Sequence, residues 1–217
     1  MARPELHLSQ NHDADELLSK DPLALLIGMV LDQQVPLEWA FAAPLELSTR
    51  LEHPLDANVL ADMDPQVLGE LFSRRPALHR YPGAMAGRVQ EMCRLLVQDF
   101  EGRADKVWTS ASSGEELLAT VKALPGFGDQ KAKIFVALLG KQLGVRPAGW
   151  ENASNPYGTP GVFRSVADII DDVTLAKVRA FKQEQKAKAG SKSTPGTSPR
   201  ATKKPSPRAT KKPSPRP

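Results

Sequence analysis

Runs of apolar residues recur along this chain at helical spacing. From Leu23 to Leu31 they leave almost no polar face at all. A helix apolar all round belongs in the interior, so this stretch, opened by Asp21 as cap and Pro22 at the first helical position, is expected as the central buried helix. Between Gly83 and Phe100 the apolar positions Val89, Met92, Cys93, Leu96, Val97 and Phe100 return every three or four residues, which marks an amphipathic helix. Ser113-Gly-Glu-Glu116 reads as a capped start for a helix through about Ala123, with Leu117, Leu118 and Val121 on one face. After Leu124-Pro-Gly-Phe-Gly128, a second helix carries Ile134, Phe135, Ala137, Leu138 and Leu139.

Weaker patterns fill the intervals. Asp13 is expected to cap a helix over Ala14–Lys20 after a loose arm at residues 1–12, and Pro36 to Leu51 reads as a Pro-interrupted helical segment. Short helices are expected at Ala57–Met63 and Gln66–Ser73, then loops at 102–112 and 145–161, and last helices at Val162–Ile170 and Thr174–Lys188. No stretch alternates with period two, so the expected fold class is all-α. Residues 1–20 form an N-terminal arm and short helix, 21–184 the helical domain with its hairpin at 113–144, and 185–217 a tail. In that tail Ser198-Pro-Arg-Ala-Thr-Lys-Lys-Pro205 repeats as Ser206 to Pro213 with no large apolar side chain, so it is expected to be disordered.

Charge is divided unevenly. Ten of the 29 bases and none of the 25 acids fall in residues 185–217, which leaves nineteen bases against 25 acids in 1–184. An acidic body with a basic appendage must contact any nucleic acid at a focused site. Pro125-Gly126-Phe127-Gly128 provides one: the turn frees the backbone to approach a ligand, and the helix behind it starts with unpaired amides, a natural anion site. Lys122, Lys131, Lys133, Lys141 and Arg146 surround it, with Asp129 the lone acid between Val121 and Gly149. Trp39 and Phe41 are expected in the core rather than as a stacking platform, and the basic loop Arg74–Pro82, with His79 and Tyr81, can either grip phosphate or stay solvated.

Several chemistries drop out. The single Cys93 can form no internal disulfide and no iron–sulfur cluster, and its place in the apolar stripe reads as a buried thiol. His7, His12, His53 and His79 lack ligand spacing, so no metal site is expected. With no apolar leader at Met1–Asn11 and no run long enough to span a bilayer, the expected location is cytoplasmic. At the end of the central helix stand Asp32-Gln33-Gln34-Val35-Pro36; the two glutamine amides suit either contact with base edges or ordinary helix-end capping.

Helix, LPGFG turn, helix resembles the helix-hairpin-helix element of the HhH-GPD family of DNA glycosylases, and "LLIGMVLDQQV" resembles the family's apolar helix that ends in a lesion-contacting Gln. The resemblance covers about Asp21 to Gly144. It implies base excision repair by a divergent monofunctional DNA glycosylase acting on double-stranded DNA, a monomer associated with the nucleoid. Gln33, Gln34, Leu124, Gly126, Phe127, Gly128, Gln130, Lys131 and Lys133 would then meet DNA. No cofactor is expected beyond a potassium or sodium ion at the hairpin, which the resemblance implies. Where the family carries its lyase Lys this chain has Gln130, and Lys131 lies about 100° further round; AP-lyase activity is not expected. The family's "V-D-x-H" is missing. Glu151 is the best-placed carboxylate, with Lys131 as the nearest amine and Asp168 a weaker carboxylate more suited to capping a helix. A DNA-binding or nucleoid-associated protein without catalysis is the alternative, and a helical adaptor a third.

Overall fold

A computed structural model describes residues 5–191. Among them the chain is all-α, eleven helices and one 3-10 turn with no strand. In chain order these are α1 (His12–Lys20), α2 (Pro22–Leu31), α3 (Leu37–Leu51), α4 (Ala57–Asp62), α5 (Pro65–Ser73), α6 (Pro82–Phe100), α7 (Lys106–Thr109), α8 (Gly114–Ala123), α9 (Asp129–Gln142), α10 (Trp150–Ala153) and α11 (Asp172–Ser191). None of the described helices is long and apolar enough to cross a membrane.

Helix α2 is the axis. The Asp21 carboxylate accepts from the amides of Leu23 and Ala24, and every residue from Leu23 to Leu31 is buried. On one side α2 packs against α1 and α3, on another against α6, which in turn carries α4 and α5. The second layer is α8 with α9, closed at its far end by α10 and the 3-10 turn Val166–Asp168. Phe135 of α9 joins the layers, its ring edge-on to Trp108 at 5.8 Å and to Phe127 at 5.6 Å. Cys93 lies in this core, where burial pushes its thiol up to about 12, as befits a structural side chain.

Several local expectations are corrected. The arm is docked from residue 5 onward: Leu6 and Leu8 are buried, and Asp15 accepts from the amides of Leu8 and Ser9 at 2.9 and 2.8 Å. Asn11, rather than Asp13, caps α1. Pro44 sits buried inside an unbroken α3, so packing overrides the proline signal. Small helices α7 and α10 occupy stretches expected as loops, whereas within 162–170 only the 3-10 turn Val166–Asp168 is helical, with Val166, Ala167 and Ile169 buried and Ile170 exposed. Helix α11 runs on to Ser191, past the expected start of the tail at position 185; residues 192–217, with the repeats and their expected disorder, lie outside the described residues.

Candidate functional site

Where α2 ends, three consecutive side chains part company. Asp32 caps the helix with its amide on the Gly28 carbonyl. Gln33 turns inward: its amide donates to the Val30 carbonyl at 2.8 Å and accepts from Arg88 at 3.1 Å. Gln34 points out, exposed, with a left-handed backbone of φ +57° that costs a non-glycine residue strain. The turn is clamped by buried His79, whose Nδ1 accepts from the Tyr81 amide and whose Nε2 donates to the Gln33 carbonyl at 2.9 Å. Thus the 74–82 loop, on which Arg75, Arg80 and Tyr81 are exposed, is fastened to the end of α2, with the Arg80 guanidinium 5.5 Å from the Tyr81 ring. Phe41 is core, and Trp39 is partly exposed with its indole N–H on the Ala77 carbonyl at 3.0 Å.

The 124–128 turn lies against this end of α2. Gly126 has φ +90°, and a Cβ there would stand 3.0 Å from Arg88 Cδ and 3.3 Å from Val30 Cγ1. No side chain caps α9, and the amides of Gly128, Asp129, Gln130 and Lys131 find no acceptor among the described residues. Gly128 is open, with nothing within 4 Å of a Cβ placed on it. Any anion would therefore be gripped by backbone alone, because Leu124 and Phe127 are buried and face the core rather than a ligand. The basic ring is also less free than its composition suggests. Asp129 takes Lys122 and Lys133, each at 2.9 Å, and the first of these does most to hold its carboxyl below the usual carboxylate range. Lys141 is paired with Asp168 at 2.5 Å, and the Arg146 side chain donates to the Gly140 carbonyl.

Lys131 turns inward instead of toward solvent. Its half-buried ammonium donates to the carbonyls of Met29 and Val30 at 2.6 and 3.1 Å, capping the last turn of α2. Burial pushes its pKa down to about 8; the charge of Asp32 opposes that shift and Arg88 adds to it. Asp32 is half-buried in its turn, and no hydrogen-bond donor among the described residues reaches its carboxylate. Its pKa is raised, first by burial, against the lowering pull of Lys182 and then Lys131.

Asp32 opens onto a pocket of about 600 Å³. Ile134, Pro156 and Phe181 supply apolar walls; Gln130, Tyr157, Arg164 and Lys182 supply polar ones. Gln130 donates to the Tyr157 hydroxyl at 2.9 Å. Glu151 is elsewhere. Exposed on α10, it lines a separate pocket of about 400 Å³ with Lys141, Arg146 and Phe163. A Cβ on Gly140 would stand 2.3 Å from the Trp150 ring, so α10 lies against the C-terminal half of α9. That is ten residues, or about 15 Å of helix rise, from Gln130. Asp168 caps the 3-10 turn through the amides of Arg164 and Ser165. Among the described residues His12, Asp13 and Glu16 do bring ligand atoms within 4.8 Å of one another, but all three are exposed, and Glu5 and Lys20 already pair with His12 and Glu16.

Asp32, Tyr157, Arg164 and Lys182 escaped the sequence reading. A carboxylate placed straight after nine residues of apolar helix was the available signal for the first; the others reach the pocket only through tertiary packing. Comparison with protein-family models gives no match, and neither does comparison with curated protein sequences.

Proposed function

We propose that this chain binds double-stranded DNA through the 124–131 turn and excises a damaged base as a monofunctional DNA N-glycosylase of the HhH-GPD kind. The observation that carries the reading is the adjacency of two features: a row of uncapped helix-start amides, and a half-buried carboxylate without a donor in a pocket of about 600 Å³. A backbone phosphate suits the amides of Gly128 to Lys131. Gln34, exposed and held in a strained backbone, is the side chain to enter the space left by a displaced base. The extruded base would lie among Ile134, Pro156, Tyr157 and Phe181, within reach of Gln130.

Asp32 takes the role that the sequence reading gave to Glu151. As the C–N bond breaks, the base leaves with the electron pair and the sugar becomes oxocarbenium-like; a poorly solvated anion stabilises that charge more than an exposed one. Water then adds at the sugar carbon and passes its proton to the carboxylate. Lys131 is engaged by two carbonyls, which supports hydrolysis without a lyase step. Binding without excision is the second reading, favoured by the Lys182 charge set against Asp32 across their shared pocket.

A panel of duplexes bearing alkylated, oxidised and deaminated bases, run with wild type and Asp32→Asn, separates them. Excision by wild type and loss in Asp32→Asn supports the glycosylase. Binding with no excision of any base selects the second reading. Absence of duplex binding removes both.

A further inference from the structure

Helix α11 forms one wall of the Asp32 pocket through Phe181, Lys182 and Gln185. It is anchored at its start, where Thr174, Leu175 and Val178 are buried and Thr174 accepts from the amides of Ile170 and Asp171; beyond these, Arg179 pairs with Glu38 and the Lys177 ammonium lies 4.4 Å from the Phe163 ring centroid. Lys182 is exposed and has no hydrogen bond or ion pair among the described residues. Of the charged side chains acting on Asp32 it is nevertheless the strongest, ahead of Lys131 from α9 and Glu38 from α3. Arg164 and Tyr157 are the other titratable groups lining the pocket.

We propose that α11 is a displaceable strap: Lys182 stands against Asp32 in the free protein and moves to a DNA phosphate when duplex binds. The inference rests on the glycosylase reading of the same pocket. An ammonium across the same pocket offsets part of the negative charge that a cationic sugar needs, and its helix narrows the space for a base. Phosphates offer that ammonium a better partner. The chain beyond α11 adds a pull in the same direction, with eight Lys/Arg and no acid in residues 192–217. A helix whose buried side chains among the described residues, Thr174, Leu175 and Val178, all lie in its first two turns is the element whose later part can yield at small cost.

Two measurements on the full-length chain test this. Carbon-13 NMR titration of the Asp32 carboxyl, in wild type and Lys182→Gln, reads the closed state: the midpoint should rise by roughly half a pH unit or more without the ammonium. An unchanged midpoint overturns the contact. Hydrogen–deuterium exchange with an undamaged duplex, at concentrations where fluorescence anisotropy shows saturation, reads release. Amides of 175–185 should exchange several-fold faster with DNA, and unchanged or slower exchange overturns the strap. Should anisotropy show no binding, the glycosylase reading and the release step fall together, while the Asp32 midpoint still decides the contact.

Discussion

Lys131, in the first turn of α9, ends on the last turn of α2, where its ammonium is 2.6 Å from the Met29 carbonyl. One side chain thus fastens the 124–128 turn to the end of the central helix and sets a cation beside Asp32. Its pKa of about 8 lies below the 10.5 of the unfolded chain, so the penalty for holding the proton is full below about pH 8 and fades as pH rises toward 10.5. Wild type should therefore gain stability relative to Lys131→Met across that window, by up to about 3 kcal/mol. Urea unfolding of both proteins between pH 7 and 10.5 measures it; parallel curves would contradict the burial.

For Asp32 the sign is opposite. Its folded pKa is raised, so the cost of the charge is absent below the unfolded value near 3.8 and complete once pH passes the folded value. Asp32→Asn should stabilise the protein at neutral pH, with the gain vanishing as pH falls toward 3.8. Excision should drop by about a hundredfold or more. Stability and activity moving in opposite directions would mark a functional carboxylate.

The two turn glycines should behave differently. At Gly128 a methyl group meets nothing within 4 Å, so Gly128→Ala should fold with stability within about 0.5 kcal/mol of wild type while duplex affinity falls by about tenfold. Gly126→Ala, at φ +90° and 3.0 Å from Arg88, should cost about 1–2 kcal/mol before any ligand is considered. Anisotropy and thermal melts on the pair distinguish a backbone anchor from a turn that only folds.

Arg50 holds the loop that carries His79. Its guanidinium, with 3% of the side chain exposed, donates to the carbonyls of Leu71, Arg74 and Pro76 and to Glu46. Arg50→Ala should cost about 2 kcal/mol, since the loop carbonyls of Leu71, Arg74 and Pro76 lose the one donor that gathers them, and Arg50→Lys should recover only part because an ammonium lacks the fork. Faster amide exchange at Tyr81, which donates to His79, would follow in both variants.

Local pattern alone fixed a good deal of this protein. The all-α class, the burial of Leu23–Leu31, the stripe through Cys93, and the Ser113-capped helix joined through Pro125–Gly128 to a second one are consequences of side-chain periodicity and backbone freedom, which act within a few residues. Tertiary structure decided the rest. Sequence spacing cannot tell that Lys131 reaches back about a hundred residues to Met29, that Gln33 and Gln34 face opposite ways, or that Asp32, Tyr157 and Lys182 share one pocket while Glu151 sits in another. Those relations depend on how α2, α9 and α11 pack, and packing sets the burial that shifts Lys131 and Asp32 from their ordinary ionisation.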